Sequence, residues 1–290
     1  MLDEVIVGSA NPTISDNFVN NGTGTGNYDV TITSLTANTL YYVRAYAVNA
    51  SDTAYSAEQS FTTTSSFPLI DIDGNEYDTV QIGTQIWMKQ NLKVTHYPNG
   101  DQIPKVTGNI PWKDLENINT VDAYCYYNDD SASYANTYGA LYTYAAAIGD
   151  NWTRDNMANQ GICPDGWHLP SDDEWKQLEM YLGMSSSQAD NTHDRGTNEG
   201  SKLGGNAPLW TSGSLTTNAD FDKSGFTGIP GGGRNHHTGP SEYIGIKATW
   251  WCSSFSSSYG YIRSINRSAT TAYRIYYSMS NGFSVRCVKD

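Results

Sequence analysis

The sequence predicts an α+β protein: a domain of two helices and short, mostly antiparallel strands, preceded by a smaller, partial all-β sandwich. Three observations predict this. Trp175, Leu178 and Leu182 recur at helical spacing behind Ser171-x-x-Glu174, and Leu141, Tyr144, Ala145 and Ile148 fall at i, i+3, i+4 and i+7. Residues 41–48 alternate with a period of two, the pattern of a sheet with distinct faces. Elsewhere Gly, Ser, Thr and Asn punctuate the chain, which favours short strands over long ones. A length of 290 residues suits one large domain or two ordinary ones. Residues 1–64 and 71–290 read as two units joined by a linker at 65–70.

In the first unit, Tyr41, Val43, Ala45 and Ala47 alternate with Tyr42, Arg44, Tyr46 and Val48. With Leu35, Thr39 and the closing Phe61-Thr62-Thr63, this pattern resembles a fibronectin type III module. Leu35, Thr39 and Tyr41 match that family's tyrosine corner, in which the Tyr hydroxyl bonds upstream backbone. Ala37 stands where the family often has Pro. Such a sandwich takes seven strands in roughly 100 residues, so the opening strands are expected to be missing and one edge exposed. Truncation is the plainer reading; strand exchange or homo-oligomerisation through that edge is the other.

Past the Ser65-Ser66-Phe67-Pro68 linker, Asp71-Ile72-Asp73-Gly74-Asn75-Glu76-Tyr77 reads as a hairpin turn, with strands at 80–83 and 85–88. Asp-x-Asp-Gly also opens a calcium loop, but the later ligands and closing Glu of that loop are missing, so a plain turn is expected. Helices are expected over 138–148 and 171–182. The second has Ser171 as N-cap, Glu174 completing a capping box, Asp172 and Asp173 at the positive end of the dipole, and Gly183 as its stop. Short strands are expected at 226–229, 250–253, 261–265 and 283–288.

A formal charge of −13 argues against nucleic acid, because a phosphate-binding surface needs Lys and Arg to displace counterions. No apolar run of about 18 residues occurs, so no membrane insertion is expected. Met1-Leu2-Asp3-Glu4 lacks the basic and apolar regions of a signal peptide. The Tyr-rich, aliphatic-poor composition nevertheless suits an extracellular, cell-surface or virion-surface protein. Cys125, Cys163, Cys252 and Cys287 show no C-x-x-C spacing, so no zinc site is expected. His236 and His237 are adjacent and point apart in extended chain, which disfavours shared metal binding. Asp129-Asp130 and Asp172-Asp173 read as a loop and a helix start. Gly231-Gly232-Gly233-Arg234 has neither P-loop nor dinucleotide spacing. No cofactor is expected.

Two stretches carry a wider resemblance. Gly161-Ile162-Cys163-Pro164-Asp165-Gly166-Trp167-His168-Leu169-Pro170-Ser171-Asp172-Asp173-Glu174-Trp175 and Gly282-Phe283-Ser284-Val285-Arg286-Cys287-Val288 together resemble the Fibrobacter succinogenes major paralogous domain, over about 71–290. The resemblance implies a C-type-lectin-like fold related to formylglycine-generating enzymes. It also implies a disulfide between Cys163 and Cys287, worth about 4–5 kcal/mol in the chain-entropy model. Cys125 and Cys252 are then either a second bridge or two buried thiols. The related oxidases use paired, copper-binding cysteines in their C-terminal part. The comparable stretch here, Ser256-Ser257-Ser258-Tyr259-Gly260-Tyr261-Ile262-Arg263, has no cysteine, and Cys252 stands alone upstream. Oxidase chemistry is therefore the remote alternative, and no catalytic residue is named.

The functional expectation rests on residues 253–281, built mostly from Ser and Tyr with scattered Arg. Tyr gives rigid contact area, Ser and Gly adaptability, and Arg charge-assisted anchoring, the mixture that antibody paratopes use. The stretch also resembles the variable region of lectin-fold proteins diversified by retroelements. The residues expected to face a ligand are Ser256, Ser257, Tyr259, Tyr261, Arg263, Asn266, Arg267, Tyr273, Arg274, Tyr276 and Tyr277. Ile262, Ile275, Phe283 and Val285 are expected inside. The implied protein is a non-catalytic adhesion or ligand-binding protein whose partner is a protein or a glycan. The rival is a structural spacer of a surface or virion array, and the plainest alternative is that the run consists of polar loops.

Overall fold

The strongest local signal in the sequence forms as written. Ser171 accepts from the Glu174 backbone N–H while the Glu174 carboxylate accepts from the Ser171 N–H at 2.8 Å, starting the helix Asp172–Tyr181. This is seen in a computed structural model, which describes residues 2–8, 10–13, 17–20, 40–48, 51–62, 69–116, 118–149 and 160–290. The chain divides into two compact units, Met1–Phe67 and Pro68–Asp290.

In the first unit, Leu40–Val48 is the central strand of an antiparallel sheet. Leu2–Gly8 pairs with one side of it and is itself paired with Asn17–Asn20; Thr53–Tyr55 and Gln59–Thr62 pair with the other side. Tyr41 stacks on Phe61 at 6.0 Å, and Arg44 lies 4.6 Å over the Tyr55 ring. Burial along the strand peaks at Tyr46 rather than alternating cleanly. Leu35, Ala37 and Thr39 of the expected tyrosine corner lie outside the described residues.

The second unit is α+β, with short helices and small antiparallel sheets. One four-stranded sheet runs Trp167–His168, Val288–Lys289, Gln85–Met88, Thr79–Ile82. The other runs His193–Arg195, Ala272–Ser278, Tyr259–Asn266, Lys247–Ser256, and is the frame of the domain. Cys163 and Cys287 are disulfide-bonded, 124 residues apart in sequence, and Cys125 and Cys252 are buried free thiols.

Three expected elements are corrected. The helix over 138–148 is split: Asp130 caps a helix Ser131–Tyr138, Gly139 ends it at φ 77°, and Leu141–Tyr142 pairs with Tyr124–Cys125 as a strand. Thr143 then caps Tyr144–Ile148. A side chain at Gly139 would strike the Leu92 carbonyl at 2.5 Å, so this break is required by packing. Residues 141–148 are buried on all sides, so their apolar spacing records core rather than a single helix face. Residues 226–229 form no strand, because Gly225 and Thr227 take positive φ. Of 283–288, only Val288 enters a strand; Phe283 and Ser284 make isolated bridges to Tyr142 and Trp250.

The Asp71 turn has a local explanation. Its carboxylate accepts from the backbone N–H groups of Asp73 and Asn75, the Asn75 amide and the Tyr77 hydroxyl. The first carboxylate of Asp-x-Asp-Gly is thus used to close a turn.

The frame sheet is covered on both faces over most of its area. Against one lie Trp250, Ile265, Ala248 and the helix Asp172–Tyr181, in a cluster that also holds Trp87, Trp175 and Phe226. Trp175 sits 4.8 Å from Trp87 and 5.6 Å from Phe226. Arg286 is buried here, 4.3 Å over the Phe226 ring. It donates to Asn91 Oδ1 at 3.0 Å and to the carbonyls of Phe226 and Thr227, so its guanidinium is satisfied by neutral acceptors. Against the other face lie Trp251, Ile262, Phe283 and Tyr144.

Candidate functional site

Strand alternation sorts the residues expected to face a ligand. Arg263 pairs across the sheet with Arg274, and Tyr261 with Tyr276, on the face that carries Trp250. Tyr273 and Tyr277 fall on the opposite face with Ile262, Ile275 and Lys247.

The first face corrects the expectation for two arginines. Arg263 Nη1 donates to Asp172 Oδ1 at 2.8 Å and Nε to Glu179 Oε1 at 3.0 Å. Arg274 holds Asp172 through Nε and Nη2 at 2.8 and 2.6 Å, and Arg195 grips Glu179 with two bonds of 2.7 Å. All five side chains are buried. Burial alone would raise Asp172, but the hydrogen bonds of Arg274 and the charge of Arg263 outweigh it and hold the carboxyl well below its usual range. Arg263 and Arg274 are therefore the clamp that seats helix Asp172–Tyr181 on the sheet, not ligand contacts.

Of the tyrosines on that face, Tyr259 and Tyr276 are exposed, with rings 5.7 Å apart. Tyr261 is half-buried between the Tyr276 edge at 5.9 Å and the Arg274 guanidinium at 4.7 Å. Ser256 and Ser257 are exposed at the hairpin turn, with Ser257 at φ 56°. At the other end, Asn266 accepts from the Ser268 N–H and hydroxyl, and Arg267 donates to the Ser212 carbonyl at 3.2 Å. Of the residues expected inside, Ile262, Phe283 and Val285 are buried and Ile275 is half-buried.

The opposite face carries a cleft of about 200 Å³. Ile262, Thr249 and Tyr277 from the sheet line it, Phe283 and Asn281 close one side, and the 232–235 loop with Glu242 and Tyr243 closes the other. The loop is braced. Arg234, itself buried, forms a two-pronged pair with Asp129, donates to the Gly239 carbonyl at 2.8 Å and lies 5.0 Å over Trp112. Gly232 has φ 66°, and a Cβ there would meet the Glu242 carbonyl at 2.2 Å, so only glycine lets the loop lie on its neighbour.

Lys247 stands in this cleft with its ammonium 5.5 Å from the Tyr243 ring and 5.7 Å from the Tyr273 ring. Lys247 makes no ion pair among the described residues; the charge of Asp194 acts on it, but burial outweighs that attraction and lowers its pKa below the ordinary lysine value. Glu242 lines the same cleft and accepts from the Asn235 amide at 3.3 Å. Asn281 orients His236 at 3.1 Å. Lys247, Tyr243 and Glu242 carried no sequence signal; they lie outside the Tyr-rich run, and of the three only Lys247 is strand-paired to it, opposite Asn266.

The remaining reactive groups are engaged. Burial pushes the thiols of Cys125 and Cys252 up to about 12. His168 bonds Glu174 at 2.7 Å and Asp290 at 2.6 Å. His237 bonds Glu116, and His96 bonds Asp73. Among the described residues no helix is long and apolar enough to cross a membrane.

Residues 80–289 match the family model of the Fibrobacter succinogenes major domain. No curated protein and no solved structure matches the chain.

Proposed function

The chain belongs to the Fibrobacter succinogenes major domain family, and from that premise we propose that it is a non-catalytic, surface-displayed ligand-binding protein. Its scaffold on this reading is lectin-like, preceded by a fibronectin-type module, and it works outside the cell or on a virion. The observation that carries the reading is the braced cleft in which Lys247 lies beside two tyrosine rings and makes no ion pair among the described residues. Tyr277, on the Tyr-rich run, lines it, and Tyr273 of the same run flanks the Lys247 ammonium; Arg263 and Arg274 serve the fold instead. A concave site with apolar walls and a few convergent polar groups is what a small ligand, or one group of a larger ligand, requires. A disulfide that closes the domain suits an oxidising compartment. The two remaining thiols are buried and held protonated, which supports binding over thiol chemistry.

The test is binding of the whole chain to arrays of glycans and of displayed peptides, with Tyr277→Ala and Tyr273→Ala as probes. The expected result is a ligand whose binding falls at least tenfold in these variants while the melting temperature holds. Binding that is indifferent to both changes would move the site elsewhere, and no binding at all would favour the spacer. Sequencing the locus across a population would show whether residues 253–281 vary as a diversified region does.

A further inference from the structure

We infer that Lys247 is the contact for a carboxylate carried by a sugar ring, so that the cleft takes an acidic sugar residue at the end or edge of a glycan. This rests on the reading of the cleft as the binding site. Lys247 and Glu242 line one small cavity, yet no ion pair joins them among the described residues. A ligand that satisfies both brings an anion for the ammonium and hydrogen-bond donors for the carboxylate. An acidic sugar carries both, since its hydroxyls donate while its carboxylate accepts.

Size and shape narrow the choice. About 200 Å³ is below the roughly 300–1,000 Å³ of pockets that enclose drug-sized ligands, so one ring enters and the rest of the chain stays outside. Tyr243 beside the ammonium and Tyr277 on the cleft wall present amphipathic rings, suited to a partner that is apolar on its faces and polar at its edge. The Tyr243 and Tyr273 rings hold the ammonium without neutralising it, because a cation over a π-face keeps its full charge. An anion reaching Lys247 therefore meets an ordered, partly desolvated cation, where a charge-assisted hydrogen bond is stronger than in water. The chain's net charge of −13 works against acidic glycans at long range. At physiological salt that field is screened beyond about 8 Å, which leaves the local lysine decisive.

The experiment uses an array of oligosaccharides ending in uronic or sialic acids, each printed beside its methyl ester, together with peptides bearing free C-termini. The whole chain should bind one or more acids and bind the matching ester at least tenfold more weakly. Lys247→Met should erase that difference, and Lys247→Arg should restore much of it. Equal binding of acid and ester would overturn this inference and leave the cleft as a binding site. Binding of peptide termini in place of sugars would overturn it in favour of a protein ligand. Failure to bind either class would overturn this inference, while the reading of the cleft as a binding site is decided by the wider glycan and peptide arrays. Should Lys247→Met not fold, the comparison of acid and ester on the unaltered protein still decides.

Discussion

The two faces of the frame sheet are made from one stretch of chain and have opposite fates. On one, Arg263 and Arg274 lie beneath the helix Asp172–Tyr181, buried and fully paired. On the other, Tyr277 helps wall a cleft, and Tyr273 lies 5.7 Å from the ammonium of a lysine that makes no ion pair among the described residues. Neighbouring residues in a strand share composition and point apart. A run rich in Tyr, Ser and Arg is therefore two surfaces interleaved, and the charged residues within it are the less available half. What decides a residue's role is the element docked on its face: a helix offering two carboxylates on one side, a glycine-rich loop on the other.

The largest effect expected from breaking this contrast lies in the clamp. Arg263→Ala leaves Asp172 and Glu179 short of a partner in a buried site, so urea unfolding should show a loss of about 3–5 kcal/mol. Loss of ligand binding with the unfolding midpoint intact would instead make the arginine face the working surface.

A smaller effect separates the closed network from the open ion pairs on the same helix. His168 is raised from 6.5 to about 8, first by its hydrogen bond to Glu174 and then by that to Asp290. A raised histidine contributes fully below its unfolded pKa, so this stability is present below about pH 6.5 and is lost as pH rises through about 8. Asp290 is largely exposed, so the contribution is about 1 kcal/mol after screening. His168→Gln should flatten the melting temperature between pH 6 and 9. Asp172 behaves oppositely: its carboxyl is depressed, so the clamp holds above about pH 4 and weakens only as acid approaches the lowered value. A clamp that loosens between pH 6 and 9 in the His168→Gln protein would contradict this separation.

The smallest effect on stability belongs to the exposed rings. Replacing Tyr259 and Tyr276 together by Ala should change folding by less than about 1 kcal/mol, because neither is buried. If the cleft is the site, ligand binding should also change little. A fall of roughly 2 kcal/mol or more in affinity would mark these two tyrosines as a hot spot and move the binding face to the helix side of the sheet.

Local chemistry was legible in the sequence, and side assignment was not. The capping box at Ser171 and Glu174 and the turn built on Asp71 are hydrogen bonds closed within four residues, so residue type and spacing were enough to determine them. The Cys163–Cys287 pair was readable through the two motifs that carry it, because a family resemblance brings the long-range pairing that spacing alone leaves open. A single helix over 138–148 does not form, and the sequence does not show it, because 141–148 is buried all round and has no polar side from which a period can be measured; Gly139 against the Leu92 carbonyl shows where the chain must break. The frame sheet presents the same difficulty. With both faces covered, polar and apolar residues do not alternate, and whether Arg263 meets water or Asp172 depends on a helix ninety residues earlier. Lys247, Tyr243 and Glu242 converge only because a hairpin, a strand and a glycine loop pack together, a juxtaposition set by tertiary contacts that no local pattern encodes.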